Sequence, residues 1–190
     1  MDSKIILVGD SNVGKTTFIE KLITGDITNK NKPTIGATIK THIIDNIEYI
    51  IWDTSGWHSF RTMIPLYYNK SNCVFIFYDM TKDKKYETIK EWIDTILASH
   101  NKDIPVVMVG TRSKNNNAVE LDYNNEKIKT LLNKINLMST ITLDIMNETH
   151  EELIEKFNLM TYNVAVDKKS KITLQQSTIQ SDDIYCCCIS

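Results

Sequence analysis

The chain contains little arginine and has no excess of positive charge. Only Arg61 and Arg112 occur among its 190 residues, and 22 Lys and Arg are balanced by 24 Asp and Glu, for a formal charge of −2. Proteins that coat or read nucleic acids rely on a basic surface and on the bidentate donors of arginine. The sequence therefore predicts no nucleic-acid partner.

Long apolar runs and spaced cysteines are also missing. The first apolar run, residues 5–8, is too short for a secretion signal, and no run reaches the roughly 20 residues of a membrane-spanning helix. Of the four cysteines, Cys73 lies in an apolar segment and Cys186, Cys187 and Cys188 are adjacent, which argues against a disulfide framework. With 42% hydrophobic residues, the composition predicts one soluble domain and a short tail.

Strand-like and helix-like apolar patterns alternate along the chain. Short apolar runs predict strands at residues 5–8, 73–78, 105–109 and 140–143, and a hairpin within residues 43–52 that turns near Asp45 and Asn46. Helical spacing predicts helices around residues 18–23, 86–97, 128–135 and 153–160. This alternation predicts an open, mostly parallel sheet with right-handed crossovers. We expect residues 1–166 to form the domain and residues 167–190, where the periodicity fades, to form a flexible tail.

A phosphate-binding motif of the form G-x-x-x-x-G-K-[ST] stands between the first predicted strand and the first predicted helix. With the residue that follows it, it provides these candidates for nucleotide contact: Gly9, Asp10, Ser11, Asn12, Val13, Gly14, Lys15, Thr16 and Thr17. Phosphates need a wrap of backbone N–H donors, which the glycines permit, and the helix N-terminus adds a positive dipole end. Lys15 supplies charge for the outer phosphates and Thr16 a hydroxyl for Mg²⁺. A chance glycine turn is the alternative.

Asp53 ends an apolar run and precedes Thr54, Ser55 and Gly56. We expect its carboxylate to hold Mg²⁺ through water, as the metal-side carboxylate that a phosphate-binding loop needs. The backbone N–H of Gly56 can then reach the terminal phosphate and couple the nucleotide state to the loop that follows. Considered alone, Asp53 could instead cap a turn.

These motifs resemble those of the Rab branch of Ras-like small GTPases over about residues 3–160 and at the C-terminus. The sequence PTIG at residues 33–36 resembles the first switch loop, and WDTSG at residues 52–56 resembles the entry to the second. Shorter stretches similar to Rab proteins are FRT at residues 60–62, YY at 67–68 and YDMT at 78–81. The resemblance implies an α/β, Ras-like P-loop NTPase fold with a mostly parallel six-stranded sheet flanked by helices.

The resemblance also implies a switch driven by GTP and GDP that recruits effectors in membrane traffic. Thr34 would ligate Mg²⁺ through its hydroxyl while its backbone meets the terminal phosphate, so that Thr16, Thr34 and Asp53 form the metal set. Lys15, Thr34 and Gly56 would make the contacts that support hydrolysis.

Trp57 departs from the family, which has glutamine directly after the Asp-x-x-Gly motif to orient the attacking water. An indole donates one hydrogen bond and accepts none, so it cannot position water as an amide does. We therefore predict a small monomeric GTPase with slow intrinsic hydrolysis. Trp57 could also be an exposed effector anchor, and His58 could substitute as a polar group. With so little arginine, no internal arginine finger is evident to offset the loss.

The base-reading motif departs as well. The family's Asn-Lys-x-Asp corresponds to TRSK at residues 111–114, where Thr111 and Arg112 remain candidates for nucleotide contact. Lys114 offers only donors in place of the carboxylate that accepts from guanine, which predicts weaker selectivity over adenine. Asp144, in the next base-contacting loop, could replace that carboxylate or simply face solvent. Ile27 replaces an aromatic ring near the base.

The last four residues, CCIS at 187–190, fit the C-a-a-X prenylation pattern, and Cys187 and Cys188 resemble the doubly prenylated ends of Rab proteins. Two prenyl groups anchor a protein without a polybasic patch, which matters because Asp182 and Asp183 lie near these cysteines. Metal binding or a chance cysteine cluster is the alternative. The resemblance implies residence on the cytoplasmic face of an intracellular membrane, in exchange with the cytosol.

Three functional hypotheses follow. The first is a Rab-like switch that binds guanine nucleotide and Mg²⁺ as a monomer, with exchange factors, GTPase-activating proteins, a dissociation inhibitor and effectors as partners. The second is a non-hydrolysing Rab decoy or adaptor with relaxed base specificity. The third is an enzyme that uses another nucleoside triphosphate.

Overall fold

Six strands and five helices alternate along the chain in a computed structural model that describes residues 3–27, 33–44, 46–112 and 118–162. The strands are β1 (Ser3–Gly9), β2 (Ala37–Ile44), β3 (Ile47–Thr54), β4 (Cys73–Asp79), β5 (Pro105–Thr111) and β6 (Asn136–Leu143). The helices are α1 (Lys15–Thr24), α2 (Ile64–Tyr67), α3 (Lys85–Leu97), α4 (Glu126–Leu132) and α5 (residues 150–162), and a 3₁₀ helix covers His58–Met63.

The strands form one sheet in the order β2-β3-β1-β4-β5-β6. Four of the five pairings are parallel and only β2 with β3 is antiparallel, so the predicted mostly parallel six-stranded sheet and its hairpin are confirmed. Asn46, in the hairpin turn, has a φ of 62°, a left-handed conformation that asparagine tolerates better than most residues. Asp45, predicted in the same turn, lies outside the described residues.

Each face of the sheet is covered by helices, which explains the continuous apolar runs of the central strands. All seven residues of β4 are buried, and the first six alternate between two apolar clusters. The cluster on one face includes residues of β4, α1 and α5, namely Cys73, Phe75, Phe77, Phe18 and Phe157. The cluster on the other includes residues of β4, α3 and α4, namely Val74, Ile76, Tyr78, Trp92 and Leu131.

One predicted boundary is wrong. The helix expected over residues 128–135 ends at Leu132, and the last strand begins at Asn136, four residues before the predicted start. Ile135 still packs against the core, but from the turn that leads into β6. Because β6 is an edge strand with half-buried, mixed side chains, its first residues show no continuous apolar run, while Ile135 happens to continue the helical spacing.

Phe157 anchors α5 to the sheet, and its replacement by alanine is expected to destabilise the fold strongly. Its ring is fully buried, 4.9 Å from that of Tyr49 and 6.2 Å from that of Phe75 between centroids. Phe157→Ala should lower the free energy of unfolding by about 3–5 kcal/mol. Urea unfolding monitored by circular dichroism measures this change in the free energy of unfolding. Leu66→Ala, at an exposed apolar side chain, is the control and should change it by less than about 0.5 kcal/mol.

Candidate functional site

A tight loop connects β1 to α1 and forms the floor of a polar cavity. Gly14 is the N-cap of α1 and has a φ of 94°, a conformation that a side chain would strain. Gly9 ends β1, so residues 10–14 form the whole connection. The loop and the helix start thus adopt the arrangement expected of a phosphate-binding motif.

Lys15 lies across the mouth of this loop, with only 5% of its surface exposed. Its Nζ donates to the carbonyl oxygens of Gly9 at 2.7 Å and Asp10 at 2.8 Å. Burial lowers the pKa of Lys15 to about 8, although the nearby carboxylates of Asp53 and Asp10 oppose that shift. In the described part of the chain no carboxylate is hydrogen-bonded to this ammonium, so an anionic ligand would supply the missing counter-charge.

Beside Lys15, three oxygen-bearing side chains from separate segments meet. The Thr16 hydroxyl donates to Asp53 Oδ2 at 2.6 Å, and the Thr34 hydroxyl lies 3.1 Å from that of Thr16 and 3.3 Å from the same carboxylate oxygen. Asp53 Oδ1 is buried without a hydrogen-bond partner among the described groups. Burial raises the pKa of Asp53, against the hydrogen bond from Thr16 and the charge of Lys15. An orphaned carboxylate oxygen beside two hydroxyls is a donor set that fits Mg²⁺.

The loop after β3 closes over the phosphate-binding loop. A Cβ on Gly56 would lie 2.2 Å from the backbone nitrogen of Ser11, so only glycine permits this approach. The backbone N–H of Ser55 donates to the carbonyl of Gly36 at 2.7 Å, which joins the two predicted switch segments. Together they enclose about 170 Å³, lined by Ser11, Asn12, Gly14, Lys15, Thr16, Thr17, Pro33, Thr34, Thr54, Gly56 and Trp57.

Trp57 stands at the edge of that cavity and is 48% exposed. Its ring lies 6.5 Å from that of Phe60 between centroids, at the start of the 3₁₀ helix. The side chain therefore lines the cavity and is also accessible from outside, so both sequence interpretations of Trp57 stay open. His58 follows it but is not among the cavity's lining residues.

A second cavity of about 190 Å³ shares Asn12, Gly14 and Thr17 with the first. Its full lining is Asn12, Val13, Gly14, Thr17, Asp79, Thr111, Arg112, Ile145 and Met146. Thr111 is buried, and its hydroxyl donates to the carbonyl of Val13 at 2.9 Å, so it braces the phosphate-binding loop. Arg112 is exposed at the rim. Lys114 lies outside the described residues.

The loop after β6 is held by its own side chains. The backbone N–H of Asp144 donates to Glu148 Oε1 at 2.9 Å, and the Asp144 carboxylate accepts from the amide of Asn147 at 3.0 Å. Glu148 also forms an ion pair with Lys156. Asp144 is not among the lining residues of either cavity, whereas its neighbours Ile145 and Met146 line the second. Ile27 packs, partly buried, against the core cluster of α1 and α5.

The carboxylate of Asp10 has a role that the sequence did not reveal. It accepts from Arg61 at 2.5 Å and from the indole of Trp92 at 3.0 Å, so it fastens the phosphate-binding loop to α3. Arg61 also pairs with Glu91, and its guanidinium carbon lies 4.7 Å from the centre of the Trp92 ring. One of only two arginines in the chain is thereby held by two carboxylates. The only sequence features that could have indicated this contact are an arginine in the second switch segment and an aspartate in the phosphate-binding loop.

The C-terminal part of the site prediction falls outside the described residues, including Cys187, Cys188 and the whole of residues 167–190. Within residues 3–162, apart from the short gaps given above, none of the helices has both the length and the apolar content needed to cross a bilayer.

Comparison with known proteins identifies this arrangement. The sequence model of the Ras family matches residues 4–159. The chain is 31% identical to Ras-related protein RabJ of Dictyostelium discoideum over 73% of its own length and 55% of that protein. It is 31% identical to human Ras-related protein Rab-22A over 57% and 58% of the two chains, and to the putative ras-related protein Rab-5B of D. discoideum over 70% and 64%. The matches thus span little more than half, and at most about two thirds, of these relatives.

Proposed function

The chain belongs to the Ras family of small GTPases, and on that premise we propose that it is a Rab-like molecular switch that binds GTP and GDP with Mg²⁺. Residues 1–166 would form the GTPase domain, acting as a monomer, and residues 167–190 a flexible tail. The observation that carries the proposal is the cluster of Thr16, Thr34 and Asp53 beside the buried ammonium of Lys15.

The residues of this cluster have distinct tasks in the proposed site. Thr16, Thr34 and Asp53 hold Mg²⁺, which, when bound, supplies positive charge against the phosphate oxygens. Lys15 turns from the carbonyls of Gly9 and Asp10 to the outer phosphates. The backbone N–H of Gly56 contacts the terminal phosphate, so that loss of this phosphate releases the loop pressed against Ser11.

Hydrolysis is proposed to be slow. The residue after Gly56 is Trp57, whose indole cannot accept a proton from water or orient it by accepting a hydrogen bond. Arg61, the arginine of the second switch segment, is already paired with Asp10 and Glu91.

One further contact supports relaxed base specificity. For this reason a Rab decoy or adaptor is the second candidate function. Asp144 stands in the loop whose backbone N–H contacts the guanine oxygen in the family that this chain resembles. Here that N–H is already donated to Glu148. With Lys114 in place of the family's carboxylate, discrimination between guanine and adenine would rest on few contacts.

Calorimetry with GTP, GDP, ATP and XTP in the presence of Mg²⁺ tests the proposal. Binding of GTP and GDP is expected, with a preference over ATP smaller than the roughly 10⁴-fold that a fully hydrogen-bonded site provides. Chelation of Mg²⁺ should weaken GTP binding. If only ATP or XTP binds, the guanine assignment is wrong and the chain is an enzyme or adaptor for another nucleotide. If no nucleotide binds, the switch proposal itself fails.

Effectors and regulators are the proposed protein partners. Exposed large apolar side chains are frequent between residues 35 and 66, the part of the chain that contains both predicted switch segments, and such surfaces mark interaction sites. They are Ile35, Ile39, Ile43, Ile47, Trp57, Met63 and Leu66. A surface that includes both switch segments can report the nucleotide state to exchange factors, GTPase-activating proteins, a dissociation inhibitor and effectors of membrane traffic.

Membrane anchoring is proposed to depend on Cys187 and Cys188. The full chain, treated with geranylgeranyl diphosphate and the Rab-type transferase, should sediment with neutral phosphatidylcholine vesicles. Removal of both thiols by Cys187→Ser with Cys188→Ser should leave it in the supernatant, because the three lysines at residues 168–171 find no anionic lipid in these vesicles to replace the prenyl anchor. Cys186→Ser is the matched control and should still sediment. Sedimentation of the double variant would contradict lipid anchoring and favour another means of attachment.

A further inference from the structure

A groove of about 560 Å³ separates the β2–β3 hairpin from α5, and it has roughly three times the volume of either nucleotide-site cavity. Its apolar walls include Ile47 and Tyr49 of β3 and Leu159 and Tyr162 of α5. Leu159 is 57% exposed and Tyr162 is 67% exposed, although both border apolar neighbours. The groove takes no part in the nucleotide site.

The rim of the groove is acidic. Glu151 and Glu155 are one helical turn apart on α5 and line the same side. Both side chains lack an ion-pair partner within the described part of the chain, while Glu148 on the preceding loop is paired with Lys156. Two like charges at this spacing repel each other, so a basic segment in the groove would relieve that repulsion.

The chain itself continues from the edge of this groove, because α5 is described up to Tyr162 and residues 163–190 follow it. Residues 168–174 read KKSKITL, in which three lysines precede Ile172 and Leu174. In an extended conformation these two apolar side chains project to the same side, and lysine side chains flank them. The charge and the apolar content of this segment are complementary to those of the groove.

The segment is also long enough to reach both glutamates. The helix rises about 16 Å between Glu151 and Tyr162, whereas six extended residues after Tyr162 span about 20 Å. A chain that turns back after α5 can therefore bring Lys168 and Lys169 alongside the acidic rim. A tethered segment has an effective concentration in the millimolar range, so modest contacts are sufficient to hold it.

We propose that residues 168–174 bind back into this groove: the lysines pair with Glu151 and Glu155, the chain turns at Ser170, and Ile172 and Leu174 return to Leu159 and Ile47. Docking shortens the free segment between the folded domain and Cys187 from residues 163–186 to residues 175–186. It also excludes other partners from the groove while the segment is bound. The groove is thus a binding site for the protein's own tail.

Limited trypsin digestion of the full chain tests this inference, with cleavage after Lys171 quantified by mass spectrometry. The docked segment should be protected. Leu159→Gln, which removes an apolar contact without adding negative charge, should speed this cleavage about fivefold or more. Leu66→Gln, at an exposed leucine outside the groove, should leave it unchanged. Circular dichroism establishes that both variants are folded.

A charge exchange provides the second arm. The double variant Glu151→Lys with Glu155→Lys should also expose the segment to trypsin. Adding Lys168→Glu and Lys169→Glu to that variant should restore protection. Each cleavage rate is divided by the rate for a free peptide with the same tail sequence. Equal cleavage rates in the unaltered chain, the Leu159→Gln variant and the charge-reversed variant would overturn the proposal. Protection that increases with protein concentration between about 1 and 50 μM would also overturn it, in favour of a second copy in the groove.

Discussion

Lys15→Ala is expected to weaken GTP and GDP binding by at least about a hundredfold, because a charge-assisted hydrogen bond to phosphate contributes about 1.5–3 kcal/mol and Lys15 can donate more than one. Calorimetry in the presence of Mg²⁺ measures the change. The same variant should lose little thermal stability, because the cost of burying the charge, which lowers the pKa of Lys15, offsets its hydrogen bonds to the carbonyls of Gly9 and Asp10. A loss of binding without a loss of stability separates a ligand contact from a structural one.

Lys21→Ala is the matched control. Lys21 is a second buried lysine of α1, but its ammonium donates to the carbonyls of Ile145 and Glu148 and so ties the loop after β6 to the helix. We expect this variant to lower the unfolding temperature while weakening nucleotide binding less than tenfold. The assignment of Lys15 would be contradicted if both variants reduced affinity to the same extent.

The phosphate-binding part of the site could be predicted from sequence because its residues are contiguous or follow directly from the fold. Gly9 to Thr16 form one loop and one helix start, so the local pattern contains most of the geometry. Asp53 could be added because β1 and β3 are parallel neighbours, and the ends of parallel strands meet at one edge of the sheet. Thr34 required the family resemblance, since no local pattern brings it to Asp53.

Contacts between distant segments could not be predicted in the same way. Asp10 meets Arg61 across 51 positions and Trp92 across 82, and nothing in the local sequence of any of the three indicates the other two. The same holds for Thr111, whose hydroxyl braces Val13 from 98 positions away. The bond from the Asp144 N–H to Glu148 is local, but it depends on a turn conformation that apolar spacing does not encode. Periodicity locates elements, whereas these contacts depend on how the elements pack.

The packing around Asp10 has a consequence for the nucleotide loop. Its backbone carbonyl accepts from Lys15, while its carboxylate is held by Arg61 and Trp92. Gly56, at the start of the segment that contains Arg61, presses on the backbone at Ser11. The phosphate-binding loop and the second switch segment are therefore joined at both ends of residues 56–61.

Trp57→Gln is expected to accelerate single-turnover hydrolysis of bound GTP by about ten- to a hundredfold, since placing and polarising a reacting water contributes on that scale. The amide can accept from water and donate to phosphate, whereas the indole can only donate. The measurement is phosphate release from preloaded protein with excess Mg²⁺. Because Trp57 is half exposed and outside both apolar clusters, the substitution should leave the fold intact.

Trp57→Phe separates the chemistry of the amide from the removal of the indole. It deletes the N–H but introduces no acceptor, so it should hydrolyse GTP at the rate of the unaltered chain. Equal acceleration in both variants would mean that the indole merely blocks the water, not that an acceptor is missing. Fast release by the unaltered chain would contradict slow hydrolysis altogether and eliminate the decoy. If neither variant hydrolyses GTP although both bind it, residue 57 alone does not account for the lack of hydrolysis. The adaptor then becomes the better description of this site.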